Sequence, residues 1–184
     1  RVAQRRFGTF TANSGTTTFN GASTQTLSGT MTNGNGFSHV EFSGAGTKTF
    51  GSTAASTTNF SILSNATVVT APSSNLTVAG HFVNSGGFTS NGGTVYMTGT
   101  GHSLNASTTF RHLVIDPTSA GTVTTTGTNL AATGTISVAS GDTLSIGSGL
   151  FATSTDAGTV TIAGTISGAG TLVVQNTNLD TGGT

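Results

Sequence analysis

With no cysteine in the chain, five carboxylates and four imidazoles remain for acid–base or metal chemistry. The carboxylates are Glu41, Asp116, Asp142, Asp156 and Asp180. Asp156 and Asp180 are about 24 residues apart, a step of the size that repeat folds use. In a repeating fold of that step the two would stand on adjacent layers. Stacked carboxylates can hold Ca²⁺, or serve as the acid and base of glycoside cleavage. No Lys or Arg flanks them, and no Gly-Gly-x-Gly-x-Asp calcium repeat is present, so they read as solvated turn residues. The imidazoles are His39, His81, His102 and His112. None forms an i, i+2 or i, i+4 pair, although His102 and His112 could meet across a turn. No nucleophile is spaced near a base. The chain reads as a non-enzyme with no cofactor and no metal.

Composition narrows the class further. Only 5% of residues are charged, where soluble domains have about 25%. Thr and Ser make up 63 of the 184 residues, and Gly adds 28. A formal net charge of zero argues against nucleic-acid binding, which draws most of its affinity from basic patches. No apolar run approaches the roughly 20 residues of a membrane-spanning helix. Good helix formers are scarce.

The elements that must position these groups are short alternating strands. Val40–Phe42, Phe60–Ile62, Leu76–Val78, Val95–Met97, Leu113–Ile115, Ile136–Val138, Leu144–Ile146, Val160–Ile162 and Leu172–Val174 each show apolar residues at every second position. Gly, Asn and Ser clusters separate them, as turns require. The pattern recurs. Val40-Glu41-Phe42-Ser43-Gly44-Ala45-Gly46 matches Val95-Tyr96-Met97-Thr98-Gly99-Thr100-Gly101, and Thr17 to Ser23 is a weaker copy. Phe10 to Gly21 aligns with Phe88 to Gly99. Gly134–Ala139 recurs as Gly158–Ala163, at the same step that separates Asp156 from Asp180. One apolar anchor per unit gives Phe19, Phe42, Ile62, Val78, Met97, Ile115, Val138 and Ile162, with steps of about 16 to 24 residues.

These features predict an all-β fold, a single β-solenoid over residues 1–184 with about eight irregular rungs. Its rungs are Phe-rich over about 1–116 and rich in Ile, Val and Leu over about 117–175. At about 4.8 Å per rung the stack stands about 40 Å tall. The near-absence of charge follows from the fold, because like charges on successive rungs would repel while Thr and Ser ladders do not. A β-sandwich of hairpins is the competing reading, and it leaves the repeats unexplained.

The repeat units, with Thr109-Phe110-Arg111-His112-Leu113-Val114-Ile115, resemble the tandem repeats of bacterial surface proteins of haemagglutinin and adhesin type. Gly164-Thr165-Ile166-Ser167-Gly168-Ala169-Gly170-Thr171-Leu172, followed by Asp180-Thr181-Gly182-Gly183-Thr184, is similar to the passenger-associated repeat of autotransporters. The resemblance implies a right-handed parallel β-helix at an extracellular bacterial surface. It carries over no catalytic residue.

Two other signals match chance. The sequons at Asn59, Asn65, Asn75 and Asn105 are about as many as 13 Asn in so Ser- and Thr-rich a chain would produce. The pairs Thr16/Thr18, Thr47/Thr49, Thr122/Thr124 and Thr159/Thr161 suit ice binding only if aligned on one flat face. Sugar binding along the flank would call for exposed aromatics, of which Tyr96 is the main candidate.

The chain opens on Arg1 without an apolar leader, which reads as a mature product or a segment of a larger protein. Residues 1–50 carry a net +3 from Arg1, Arg5, Arg6 and Lys48 against Glu41, and residues 51–184 carry −3. Opposite charge at the two ends predicts head-to-tail self-association into a fibre or stalk, with Arg1, Arg5 and Arg6 facing Asp156 and Asp180. A piece of a large adhesin, in contact with glycans or a host surface, is the alternative.

Overall fold

The computed structural model describes residues 10–66, 68–106, 108–155, 159–175 and 178–182. Every strand pairing among them is parallel, with partners roughly 20 residues apart, one solenoid turn. Asn33–Asn35 is the one helical turn among the described residues. The chain is a parallel β-solenoid of about seven turns, and its deepest face stacks eight strands.

Each turn visits three faces. Face A stacks Thr16–Phe19, Phe37–Phe42, the end of Ala54–Ile62, Phe82–Asn84, His102–Ala106, Thr122–Thr125, Thr143–Ile146 and Thr165–Gly168. Face B stacks the start of Ala54–Ile62, Asn75–Val78, Thr94–Met97, His112–Ile115, Ile136–Val138, Thr159–Ile162 and Asn178–Asp180. Face C stacks Gln25–Leu27, Lys48–Phe50, Val69–Thr70 and Phe88–Thr89, then Thr109–Phe110, Leu130–Ala132, Phe151–Ser154 and Thr171–Val174. The two sheets of face C meet where the Thr108 hydroxyl donates to the Phe88 carbonyl at 3.2 Å. Ala54–Ile62 runs around a corner and joins faces A and B.

Alternation decides which side chains enter the core. In Thr94–Met97, Val95 and Met97 are buried while Thr94 and Tyr96 are only half-buried, and His112–Ile115 repeats the pattern one turn on. The lower core is aromatic. Phe19 stacks on Phe42 at 5.5 Å, Phe42 meets Phe60 at 5.4 Å, and Phe60 stacks on Phe82 at 4.9 Å. Phe82 meets Phe110 edge-on at 5.4 Å. Above Phe110 the core is aliphatic, through Leu113, Ile115, Val123, Ile136, Val138, Leu144, Ile146 and Val160.

The register sorts the repeats. Gly134–Ala139 and its copy do stack, with Ile136 opposite Val160 and Val138 opposite Ile162. Phe19 likewise stands opposite Phe42. The anchor series, however, changes face. Phe19, Phe42 and Ile62 form a column on face A, whereas Val78, Met97, Ile115, Val138 and Ile162 form one on face B. The short step from Ile62 to Val78 crosses between faces within one turn, so the eight anchors mark seven turns. The match of Phe10–Gly21 to Phe88–Gly99 also joins different faces, since Phe19 is on face A and Met97 on face B. What these segments share is the strand-to-corner transition. Its glycines are needed for close approach: a Cβ on Gly99 would lie 1.7 Å from the Ala79 carbonyl oxygen one turn below, and one on Gly46 would lie 2.0 Å from that of Ser23.

Candidate functional site

Among the described residues the carboxylates do not gather into one site. Asp180 stands opposite Thr161, and its Oδ1 accepts a hydrogen bond from the Gly182 amide at 2.9 Å. At this strand the step is shorter than the one that sets Val138 opposite Ile162. Asp156 itself, like Arg1, Arg5 and Arg6, lies outside the described residues. Asp142 is buried at a corner, where its Oδ1 accepts from the Gly121 amide at 3.1 Å. No group of three or more His, Cys, Asp or Glu that could hold a metal occurs among the described residues.

The imidazole that meets His102 is that of His81, with ring centroids 4.8 Å apart and nearly perpendicular. The expected meeting with His112 is replaced because His81 and His102 lie on successive layers of face A, while His112 begins the strand on face B. His112 accepts the Thr135 amide on its Nδ1 at 3.1 Å. His39 Nδ1 faces the Asn59 amide nitrogen at 2.6 Å. Asn59 Oδ1 in turn accepts the His81 amide at 2.8 Å, so this sequon asparagine is part of the inter-layer bonding.

The four Thr-x-Thr pairs lie on different faces. Thr16/Thr18 and Thr122/Thr124 are on face A, Thr159/Thr161 is on face B, and Thr49 belongs to face C. A single file of Thr26, Thr49, Thr70 and Thr89 does run up face C. The four pairs themselves do not align on one flat face.

Sequence reasoning misses one site. Lys48, the only lysine, is fully buried under the corner joining faces A and C. Its Nζ donates to the Gly21 carbonyl at 3.0 Å and to the Gly46 carbonyl. An ammonium taken from water needs such acceptors. Period-2 alternation marks position 48 as inward, because Phe50 is buried two positions on. That is the available signal, and the charge masks it. Lys48 therefore contributes to the corner and not to a basic outer surface.

The ends of the stack are the remaining candidate. The last layer consists of Thr165–Gly168, Thr171–Val174 and Asn178–Asp180, and each strand pairs on one side only among the described residues. Its inward residues continue the core columns but stay uncovered. Leu179 is 52% exposed, and Ile166 and Leu172 are half-buried. One layer below, their partners Val160, Leu144 and Ala152 are completely buried. Asp180 sits in this open layer. At the opposite end Thr16–Phe19 and Gln25–Leu27 are also paired on one side only among the described residues, although Leu27 and Met31 are buried.

No protein-family model matches the chain, and no match was found among curated proteins or solved structures. No helix among the described residues is long and apolar enough to cross a membrane. The class defined by the fold is that of the β-solenoid repeat proteins.

Proposed function

We propose that this chain is a non-enzymatic extracellular structural protein of a bacterial surface, working by end-to-end stacking into a fibre or stalk. The observation that supports the reading is the last described layer. Among the described residues each of its three strands pairs on one side only, and Ile166, Leu172 and Leu179 keep part of their apolar surface exposed. One more layer would pair those edges and bury those side chains, as every layer beneath already does. An uncapped strand edge is a template for another strand. A heterologous contact of this kind propagates unless it closes into a ring. Asp180 at the open end supplies the acidic side of the contact, and the N-terminal arginines supply the basic side. The extracellular setting rests on the resemblance to surface repeats, the absence of cysteine and the Thr/Ser-rich exterior.

The second reading is a segment of a large adhesin or autotransporter passenger, in which the next layer comes from the same polypeptide. The segment that carries the resemblance favours it. Gly168 adopts a φ of +91°, and a Cβ there would lie 2.2 Å from the Ile146 carbonyl oxygen. The Gly-x-Ile-Ser-Gly-x-Gly-x-Leu spacing thus meets a corner requirement of stacked layers. Both readings place a further layer on this end, from a second copy in the first and from the same polypeptide in the second. The double substitution Arg5→Glu with Arg6→Glu separates them: it impairs assembly of separate subunits, whereas a covalent continuation is indifferent to it. Assays of glycan cleavage with and without Ca²⁺ test the non-enzymatic part, and activity lost in Asp180→Ala would overturn it.

A further inference from the structure

We propose that His81 and His112 act as acid-sensitive clasps between layers, so that acidification loosens the fifth layer of the stack from its neighbours. The corner amides of this solenoid are held by side-chain acceptors one turn away. Asn59 Oδ1 takes the His81 amide at 2.8 Å, Thr125 Oγ1 takes that of Gly147 at 3.0 Å, and Asn129 Oδ1 takes that of Phe151 at 3.0 Å. At two corners the acceptor is an imidazole nitrogen. His81 Nδ1 takes the Ser103 amide at 3.1 Å, and His112 Nδ1 takes the Thr135 amide at 3.1 Å. A backbone N–H can only donate, so an imidazole that accepts one on Nδ1 carries its proton on Nε2.

Protonation places a hydrogen on Nδ1 and turns each acceptor into a donor facing a donor. At His81 the Ser103 hydroxyl, 2.9 Å from Nδ1, can accept the new proton, but the Ser103 amide still loses its partner. His102 adds to the effect. Its Nδ1 is buried without a hydrogen-bond partner, and its ring lies 4.8 Å from that of His81, so two imidazolium charges would oppose each other. The groups facing His81 are Asn59 from below and Ser103 and His102 from above. Those facing His102 are Gly99 and His81, with Val123 in register above. Those facing His112 are Arg111 beside it, Thr94 below, and Gly134 and Thr135 above. None of the three rings is bonded to a carboxylate among the described residues that would welcome the proton.

Burial lowers the pKa of His102, and the His81 charge lowers it further. Burial lowers that of His112 as well, with Arg111 as the second cause. Folded pKa values below the unfolded value of 6.5 mean that the unfolded chain binds protons more readily. Their contribution to stability is complete well above pH 6.5 and is lost as the pH falls below it.

Hydrogen exchange of individual amides tests the proposal on the intact chain. Between pH 8 and pH 5 the protection factors of Ser103 and Thr135 should fall roughly five- to tenfold, the worth of one net hydrogen bond. The Phe151 amide, held by Asn129, should keep its protection and serves as the internal control. In His81→Asn with His112→Asn, a non-titrating acceptor replaces each ring, and the acid-dependent loss at Ser103 and Thr135 should shrink. Should that variant fail to fold, the wild-type comparison of Ser103 and Thr135 against Phe151 decides alone. Equal protection at both pH values, or an equal fall at Phe151, would overturn the proposal.

Discussion

Phe60 and Phe82 occupy the same position on successive turns, with their rings 4.9 Å apart and 13° from parallel, and neither has any exposed surface. Each is held from both sides along the aromatic column. Phe82→Ala should therefore cost about 3–5 kcal/mol, and Phe82→Leu markedly less. Phe151, 45% exposed on face C, provides the contrast, and Phe151→Ala should change stability by about 0.5 kcal/mol or less. Denaturant midpoints of the three variants check the ordering.

The glycines should separate into two groups. A Cβ at Gly99 would collide with the Ala79 carbonyl, which belongs to the backbone one turn below and cannot move without shifting a layer. Gly99→Ala should destabilise by about 1–3 kcal/mol or more. Gly34 lies in the Asn33–Asn35 turn with nothing within 4 Å of where a methyl would sit, and its φ is not in the left-handed range. Gly34→Ala should be neutral within about 0.5 kcal/mol. Thermal unfolding of the two variants is sufficient to compare them.

Lys48 gives a chemical test of burial. Because it is the only lysine and is fully buried, an amine-reactive ester should leave it unmodified in the folded protein and label it once the chain is denatured. Lys48→Met keeps much of the stem but removes the donor from the Gly21 and Gly46 carbonyls. It should cost about 1–3 kcal/mol, the penalty of a buried acceptor left unpaired. Peptide mapping of the labelled chain and a denaturation curve of the variant check both statements.

Stacked parallel strands are legible in the sequence because inward residues at period 2 and corner glycines are local signals. Val138 and Ile162 can be matched by eye because the step of their repeat is also their register. Faces are not legible. Ile62 and Val78 look alike as anchors, yet one ends a strand on face A and the other a strand on face B of the same turn. Three faces built from the same few residue types give no local mark of which is which. The side-chain pairs between layers are hidden for a related reason. His81 reaches Ser103 across a longer loop of chain than the one that sets Asp180 opposite Thr161, so no single period predicts both. Lys48 is missed because a lone charge is usually solvated, and the carbonyls that hold it come from corners 27 and 2 residues away.

The open last layer should be sensitive to charge. Leu172→Asp with Leu179→Asp places carboxylates where an added layer would bury them, beside Asp180. Both positions are partly exposed, so the fold should survive, with unfolding midpoints close to wild type. Circular dichroism and a denaturation curve verify the intact fold before assembly is compared.

Electron microscopy of the purified chain over a range of concentrations tests end-to-end stacking most directly. Eight strands spaced about 4.8 Å apart make a body about 40 Å long. End-to-end stacking predicts rods of one width whose length grows with concentration, shortened by high salt and abolished by Leu172→Asp with Leu179→Asp. Single bodies of that one-chain length at every concentration, unchanged by those substitutions, would contradict it.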